Sequence, residues 1–346
     1  MNRYSVVEAD INRDRDRIIS LLKGDNRFIS EEIYNWKYLN YPYEIPRAWL
    51  LIHNETDEVV GSGSIFPRKF YINDKMINVL TLADLVVQVK HRTLFPALKL
   101  EKEIIKQFNN TDYDFIYTYS NPSTNPVYTH LGYQKIGDYR QYVKLLTIKN
   151  FPKKYLSKVF KYRILQVVLD FFLKIFSQER FYKRKGNLTI NIQSDFNEKF
   201  DEFYELLKEQ HVIISDRNKK FLSWRYTNYP EHEFQVFNIL DKDSLLGYVI
   251  FTSKNNTYYI DDFVYRTNFV DTLFSEFILY ARDKGKAAVE LRFMGNPHFV
   301  KKLKKMNFLS LKEKNREIMI YLRKNYDDKN IFSISNWHFL THDKNV

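Results

Sequence analysis

The heptapeptide Trp-Lys-Tyr-Leu-Asn-Tyr-Pro at residues 36–42 returns as Trp-Arg-Tyr-Thr-Asn-Tyr-Pro at residues 224–230. Five of the seven positions are identical, and a sixth exchanges Lys for Arg. The same landmarks follow both copies in the same order: an apolar run ending in Gly, an acidic strand start and an Asn-Pro pair. Ordered self-similarity indicates a duplicated structural unit. The sequence therefore predicts two copies of one domain, with an insertion in the first copy around residues 67–78.

The composition limits the classes of protein to consider. A chain of 346 residues with 44% hydrophobic residues can form two domains with real cores. Cysteine is absent, which excludes disulfides, zinc–thiolate sites and thiol nucleophiles. The N-terminus lacks the apolar segment of a signal peptide, and no apolar run reaches the length of a membrane span. We expect a cytoplasmic protein, with peripheral contact with the inner face of the membrane as an option.

The positive charge is concentrated between the two copies. The net charge is +12, and residues 149–186 hold eleven Lys and Arg against two acidic residues. Within this connector, residues 164–176 form an apolar segment with one narrow polar stripe at helical spacing. One interpretation is an interdomain helix that is buried on most sides. The other is an interfacial helix, too short to span, that lies on an anionic membrane.

The periodicity predicts an α/β layer with a mixed sheet in each copy. In the first copy, apolar spacing indicates helices at 5–22, 30–38, 94–108 and 126–131, and strands at 48–53, 58–66, 69–77, 79–89, 114–119 and 133–146. The second copy repeats this order between residues 188 and 322. The predicted domains are 1–147 and 188–325, joined by a basic amphipathic helical connector at 148–187 and followed by a C-terminal tail at 326–346.

Three short motifs in the first copy carry chemistry. The first is the strand-to-helix segment Val-Gln-Val-Lys-His-Arg-Thr-Leu-Phe-Pro-Ala-Leu at residues 87–98. The second is Asn121-Pro122, with Asn125 shortly after it, and the third is Tyr128 ahead of Gly132-Tyr133. A helix N-terminus provides backbone N–H groups that bind anions. A phenol beside a thioester can protonate the departing thiolate.

The order of elements and these motifs resemble the GNAT acyltransferase superfamily, in two tandem copies that cover about 1–147 and 188–323. The family pattern Val-x-Pro-x-x-Arg/Gln-x-x-Gly-x-Gly/Ala is matched by Val87, Arg92 and Ala97. The resemblance implies acetyl-CoA as co-substrate and no metal. It implies Tyr128 as general acid and Asp84, at the start of the central strand, as the group that accepts the proton of an acceptor amine. The cofactor-binding residues that it implies are Val87, Val89, Arg92, Thr93, Leu94, Phe95, Ala97, Asn121 and Asn125.

The sequence departs from the family pattern at the pyrophosphate loop. No glycine lies between His91 and Ala97, and Pro96 removes one backbone donor. The second copy departs further, because Leu303 stands where the first copy has Tyr128. We therefore expect the first copy to carry the chemistry and the second to shape the acceptor site or the interface.

Three functions remain open from the sequence. The first is acyl-CoA-dependent transfer, mainly of acetyl, to an amine such as an amino sugar of a bacterial surface polysaccharide. The second is aminoacyl transfer from tRNA, as in peptidoglycan-branching enzymes, which resemble two such domains and lack the usual CoA loop. The third is a non-enzymatic binding or scaffold module. Apart from a tRNA donor, the apolar connector argues against nucleic acid as a partner, and His338 and His342 lack a third residue with metal-ligand spacing.

Overall fold

The computed structural model describes residues 3–73, 75–148, 163–184, 187–311 and 316–344, with the backbone alone at 163–166. The first half contains β1 (Tyr4–Glu8), α1 (Arg15–Gly24), α2 (Glu31–Tyr34), a π-helical turn (Asn35–Leu39), β2 (Arg47–His53), β3 (Glu58–Ile72), β4 (Lys75–Val87), a 3₁₀ turn (Val89–His91), α3 (Leu94–Phe108), β5 (Phe115–Ser120), α4 (Asn125–His130), β6 (Gln134–Asp138) and β7 (Arg140–Leu145). The connector contributes α5 (Arg163–Ile175) and a 3₁₀ turn (Gln178–Phe181).

The second half repeats this order with one additional strand, β9 (Ile213–Ser215), between its first two helices. It contains β8 (Leu188–Gln193), α6 (Glu198–Gln210), β9 (Ile213–Ser215), α7 (Lys219–Leu222), a π-helical turn (Ser223–Thr227), β10 (Gln235–Asp241), β11 (Ser244–Lys254), β12 (Thr257–Tyr265), α8 (Val270–Asp283), β13 (Ala288–Gly295), α9 (Pro297–Lys305), β14 (Leu309–Leu311) and β15 (Glu317–Leu322). The tail adds 3₁₀ turns at Lys329–Phe332, Ile334–Asn336 and Thr341–Asp343, and the short strand β16 (His338–Phe339).

The strands form two mixed sheets of the same topology. The first has the order β1-β2-β3-β4-β5-β15-β6, and the second, read in the matching direction, has β8-β10-β11-β12-β13-β7-β14. In each sheet one parallel pair, β4 with β5 or β12 with β13, interrupts antiparallel neighbours. The predicted α/β class with a mixed sheet in two tandem copies is confirmed.

The two halves exchange one strand each. β15, the last strand of the second half, lies between β5 and β6 of the first sheet and is antiparallel to both. β7, the last strand of the first half, lies between β13 and β14 of the second sheet. Tyr139 alone separates β6 from β7, so the chain passes from one sheet to the other at that residue. The expectation of one strand over 133–146 is therefore wrong.

The strand exchange means that the predicted domain limits do not coincide with the two sheets. Divisions at 147 and 188 follow the order of the chain, but neither sheet is complete within them, because each contains a strand from the other half. The tip of the β3–β4 hairpin also crosses over, since Phe70, Tyr71 and Ile72 pair with β9 of the second half. This tip lies in the region where the sequence predicts an insertion.

Local sequence explains most individual elements. In α3 the buried residues Leu98, Glu101, Ile104 and Phe108 recur every three or four positions, as the predicted helix at 94–108 requires. The predicted helix at 5–22 is partly wrong, because β1 occupies its beginning. Val6 and Val7 pair there with Leu51 and Leu50 of β2. β-branched residues beside an available sheet edge favour the extended form.

The duplicated heptapeptides meet each other. Trp36 and Trp224 stack with ring centroids 4.6 Å apart and an interplanar angle of 9°. The indole N–H of Trp36 donates to the carbonyl oxygen of Trp224 at 2.7 Å, and that of Trp224 donates to the carbonyl oxygen of Trp36 at 3.1 Å. Both Trp residues belong to one buried cluster, and their stack is a contact shared between the halves. The pair marks a local twofold relation.

The tail is part of the core. Trp337, Phe339 and Leu340 are buried between the two halves. Asp343 receives hydrogen bonds from Ser215 and from the backbone N–H of Leu340, and it pairs with Arg217 at 3.2 Å. A buried charge of this kind is stable only when it is paired and hydrogen-bonded. The hydroxyl of Tyr117 in β5 also donates to the carbonyl oxygen of Asp343 at 2.8 Å, so the tail links the second half to the first.

We predict that the two Trp residues stabilise the fold as a pair. Trp36→Ala and Trp224→Ala should each lower the free energy of unfolding by about 3–5 kcal/mol. In the double variant the loss in the free energy of unfolding should be roughly 1–2 kcal/mol smaller than the sum of the two single losses, because each single variant already removes the stacking interaction. Chemical denaturation of the four proteins measures this coupling. Additive losses, within about 0.5 kcal/mol, would show that the stack contributes nothing of its own.

Candidate functional site

The first sheet opens where β4 and β5 separate. The two strands pair only from Leu80 to Leu82 on β4, although β4 continues to Val87. Side chains from α1 and α2 cover one face of this sheet and α3 covers the other. A cavity of about 530 Å³, here called the splay cavity, lies at the opening. Its lining includes Arg27, Lys37, Asp84, Thr118, Tyr119, Asn121, Tyr128, Arg316 and Lys344.

Asp84 lies at an irregularity of β4. Its φ of 54° is in the left-handed region, and the β3–β4 register shifts beside it, between Ser62 and Ser64. Short polar residues tolerate this conformation better than other side chains. The carboxylate accepts hydrogen bonds from Lys37 Nζ at 2.9 Å and from the Tyr38 hydroxyl at 2.5 Å. The bulge thus turns a buried carboxylate towards the duplicated motif and into the splay cavity.

The π-helical turn explains why the motif reaches Asp84. The wider turn closes through a hydrogen bond from Asn40 N to the carbonyl oxygen of Asn35 at 2.8 Å. Three consecutive side chains, Trp36, Lys37 and Tyr38, are all buried as a result. Burial lowers the pKa of Lys37, while the neighbouring Asp84 opposes this shift. Burial also raises the pKa of Tyr38, whose hydroxyl remains a donor at neutral pH.

Tyr128, on α4, lines the same cavity from the opposite side of the sheet. Burial raises the pKa of its phenol, so the group is protonated at neutral pH. Its ring lies 5.1 Å from that of Tyr133. The structure therefore brings two predicted catalytic residues, Asp84 and Tyr128, to one cavity.

Glu101 of α3 is a neighbouring acid that sequence reasoning missed. It is buried in the α3–α4 cluster, and neither carboxyl oxygen has a hydrogen-bond partner among the described residues. Burial raises the pKa of this carboxyl to about 8. The hydroxyl of Tyr133, buried nearby, likewise has no partner in the described part of the chain. The only sequence signal was an acid on the apolar face of a predicted helix.

A second cavity of about 820 Å³, here called the loop cavity, follows β4 to its end. Val87, Val89 and Arg92 line it, together with Asp25, which also lines the splay cavity. The guanidinium of Arg92 donates to the carbonyl oxygen of Val87 at 2.9 Å and pairs with Asp25 at 2.7 Å. Arg92 thus occupies one backbone acceptor at the end of the strand.

The start of α3 lies beside the loop cavity. Thr93, Leu94 and Phe95 are exposed and are absent from the residues that line either cavity. The N-cap, Thr93, makes no side-chain capping bond. Ala97 is half-buried and packs with Val87. The helix therefore offers the N–H groups of its first turn, apart from Pro96, as donors.

The two Asn residues have different surroundings. Asn121 lines the splay cavity, but its side-chain oxygen accepts the N–H groups of Ser123 at 2.9 Å and Thr124 at 3.2 Å. This is a local turn. Asn125 lies on another surface and donates to Glu317 of the exchanged strand β15 at 2.8 Å. Only Asn121 of the two lines the splay cavity, because α4 turns its first residue towards β15. The cofactor-binding role of both residues stays a prediction.

The rim of the splay cavity carries cations that the sequence analysis did not select. Arg27 donates to the carbonyl oxygen of Leu85 and pairs with Asp25, while Lys37 is paired with Asp84. Lys37 could have been found from the duplicated motif, where its counterpart Arg225 keeps the charge.

Arg316 and Lys344 form the other part of this rim. They flank the ring of Tyr119 at 5.3 and 4.8 Å, and neither forms an ion pair with a described residue. Burial and neighbouring arginines lower the pKa of Lys344 to about 8. Both residues are distant from the first half in sequence, so no local pattern could place them.

The corresponding opening of the second sheet is filled. β12 and β13 pair only from Thr257 to Ile260 on β12. The tail enters beyond this point, where β16 pairs with the end of β13. Neutral His338, whose pKa burial lowers to about 3, donates from Nε2 to the carbonyl oxygen of Phe263 at 2.9 Å. Any side chain at Gly295 would clash with the carbonyl oxygen of Trp337.

The described residues contain neither a candidate metal site nor a membrane-spanning helix. No cluster of three or more His, Asp and Glu there could hold a metal ion. In the same ranges no helix combines the length and apolar character needed to cross a bilayer.

No protein-family profile matches the sequence, and no curated protein is similar to it. Solved structures are similar. A probable N-acyltransferase from Enterococcus faecalis V583 has a TM-score of 0.64 at 12% identity, over 92% of this chain and 72% of that one. A GCN5-related N-acetyltransferase from Anabaena variabilis has a TM-score of 0.62 at 16% identity, over 92% of this chain and 73% of that one. N-myristoyltransferase from Saccharomyces cerevisiae, solved with bound myristoyl-CoA, has a TM-score of 0.56 at 14% identity, over 93% of this chain and 79% of that one. The fold is therefore the two-lobed GNAT fold.

We predict that Glu101 makes stability depend on pH. Its pKa in the folded protein is about 8, against a usual value of 4.5, so the folded state retains the proton that the unfolded state loses. Stability should therefore fall as pH rises from about 5 to about 8, by roughly 2–4 kcal/mol from this group. Glu101→Gln should abolish that fall, and Glu103→Gln, on the exposed edge of α3, should leave it unchanged. Parallel pH curves of unfolding for wild type and Glu101→Gln would contradict the assignment.

Proposed function

We propose that this protein is an acyl-CoA-dependent N-acyltransferase whose single active site is the splay cavity of the first sheet. The observation that carries the proposal is the convergence of Asp84 and Tyr128 on one cavity at the point where β4 and β5 separate. The GNAT fold supports the reaction class by analogy alone. The filled opening of the second sheet supports one site per chain.

The chemistry follows from the positions of the two groups. A bound acyl-CoA would supply a thioester carbonyl that an amine attacks, so that a C–N bond forms and the C–S bond breaks. Asp84 accepts the proton of the amine, directly or through a water molecule. Lys37 and Tyr38 hold this carboxylate in position. Tyr128 donates its phenolic proton to the departing sulfur, for which its raised pKa keeps it ready.

The donor would be held by the loop cavity and the start of α3. The pairing of β4 with β5 ends at Leu82, so the following backbone groups on that side can bind an amide-containing arm. Arg92 and the first-turn N–H groups of α3 would bind the phosphates. For this, Arg92 must exchange its hydrogen bond to Val87 for one to phosphate. Tyr128, Tyr133 and Leu82 pack closely beside the opening, which favours a short acyl group such as acetyl.

The acceptor would be an amine with an anionic group. Asp25 and Asp84 compensate Arg27 and Lys37. Arg316 and Lys344 form no ion pair with a described residue, although Asp261 lies close enough to Lys344 to attract its charge. A phosphate or carboxylate between Arg316 and Lys344 would leave the amine free to enter the cavity. An amino sugar that carries phosphate, as in the biosynthesis of surface polysaccharides, meets this requirement.

One observation favours a different donor. No glycine lies between His91 and Ala97, and Leu94 and Phe95 are exposed at the helix start where phosphates would bind. An aminoacyl-tRNA, which carries an ester instead of a thioester, would not need a close-fitting pyrophosphate loop. The cavity and its two catalytic groups would serve both donors.

We predict micromolar binding of acetyl-CoA in calorimetric titration. Arg92→Ala should weaken it about tenfold or more, the effect of one charge-assisted contact. Tyr128→Phe should leave the Kd within about twofold and lower kcat by roughly 10²–10³-fold, because a general acid acts in the transition state. Tyr133→Phe is the matched control, since it also removes a buried hydroxyl and should change neither value.

Other outcomes discriminate between donors. Absence of binding at millimolar acetyl-CoA and CoA would refute the acyl-CoA proposal. Transfer from aminoacyl-tRNA would then identify the donor, and failure with both would leave a binding module. Equal loss of activity in Tyr128→Phe and Tyr133→Phe would show that Tyr128 acts through packing.

We predict that the charge at the rim selects the acceptor. The double variant Arg316→Gln/Lys344→Gln should raise KM for glucosamine 6-phosphate about tenfold or more and change that for glucosamine less than twofold. With wild type, KM for the phosphate ester should rise as pH passes about 8, because Lys344 loses its proton there. Lys344→Arg should remove this rise. Equal effects on both acceptors would contradict an anion site.

A further inference from the structure

The connector helix α5 presents its polar edge to the protein. Asp170 accepts hydrogen bonds from the hydroxyl of Thr147 at 2.8 Å and the backbone N–H of Ile148 at 2.5 Å. At the other end, Arg282 donates to the carbonyl oxygen of Leu173 and to the hydroxyl of Ser177. These contacts fix which side of the helix faces outward. An interdomain helix buried on most sides is therefore not what the structure shows.

The outward side of α5 is apolar. The exposed fractions are 66% for Val167, 60% for Phe171, 47% for Phe172 and 64% for Phe176, and Phe181 in the following 3₁₀ turn is 74% exposed. Phe172 and Phe176 stack with ring centroids 5.8 Å apart. Single exposed apolar residues are ordinary, but a contiguous stripe of this size marks an interaction surface. We call these five residues the aromatic stripe.

The charges around the stripe have one sign. The described cations Lys174, Arg180 and Lys183 are exposed. Both acids of residues 149–186 point inward: Asp170 bonds to Thr147, and Glu179 pairs with Lys144 and Arg282 at 2.9 Å each. The same 38-residue stretch contains eleven Lys and Arg in the sequence. The outer surface of the connector thus combines apolar and basic groups without a compensating acid among the described residues.

We propose that the aromatic stripe docks on an anionic lipid bilayer, with α5 lying flat in the interface. The thirteen residues of α5 extend about 20 Å, which suits an interfacial helix and is too short to cross about 30 Å of hydrocarbon. Aromatic rings inserted into the bilayer and basic side chains near the anionic headgroups supply the two attractive contributions that stable peripheral binding requires. A second copy of this chain would bring basic surfaces together, which charge repulsion opposes. The proposal does not depend on the acyl transfer proposed above.

The test is binding of the full chain to vesicles. Sedimentation with phosphatidylcholine vesicles containing about one-third phosphatidylglycerol should show at least tenfold tighter binding than with phosphatidylcholine alone. Phe172→Ser/Phe176→Ser should lower this binding at least tenfold. The triple variant Lys174→Gln/Arg180→Gln/Lys183→Gln should remove most of the preference for anionic lipid. Each lost charge should weaken binding to the anionic vesicles about fivefold, which corresponds to roughly 1 kcal/mol.

Controls separate docking from misfolding and self-association. Ile45→Ser and Leu309→Ser remove comparably exposed apolar side chains elsewhere, and they should leave binding unchanged. Thermal unfolding of the α5 variants should match wild type, because the substituted side chains are exposed. Absence of binding to anionic vesicles, or equal losses in the control variants, would overturn the proposal. So would a wild-type dimer in sedimentation velocity that Phe172→Ser/Phe176→Ser converts to monomer while vesicle binding persists.

Discussion

Each sheet of this protein lacks a strand until the other half supplies it. β5 and β6 bond to β15 on either side, so removal of β15 would leave two rows of backbone groups unpaired inside the first sheet. In the second sheet, β13 and β14 likewise bond to β7, which comes from the first half. Unpaired buried backbone groups are costly. The halves are therefore bound by main-chain hydrogen bonds as well as by side chains, and the stacked Trp pair lies where their duplicated motifs meet.

The duplication produced two similar openings, of which the first remains open and the second is filled. Both halves retain the π-helical turn and bury its three central side chains. In the first half the turn delivers Lys37 to Asp84, at a cavity that remains open. In the second half the tail enters the opening, and Asp343 joins Arg217 and Asp262 in a buried network. The tail therefore fills the opening of the second half, and it also provides Lys344 to the rim of the first.

The sequence predicted what is encoded locally. The period of α3 and the turn around Asn121 depend on neighbours within a few positions, whereas the stacked Trp residues lie 188 positions apart in sequence. The presence of Asp84 and Tyr128 at one site followed from motif order. The strand exchange could not be read, because Tyr139 resembles an ordinary strand residue and pairing partners are chosen across the whole chain. Glu101 and Lys344 were missed because their roles depend on what packs around them. The place of Asn125 was not predictable either, because its partner Glu317 belongs to the exchanged strand β15.

The strand exchange also sets an order of events during synthesis. β6 leaves the ribosome about 180 residues before β15, which must lie beside it. At typical rates of 5–20 residues per second this is a delay of roughly 10–40 s. During that time β5 has no partner on one side and β6 has no partner strand among the described residues, and exposed strand edges promote association with other chains. A translational pause before β15 would lengthen the exposure of these strand edges.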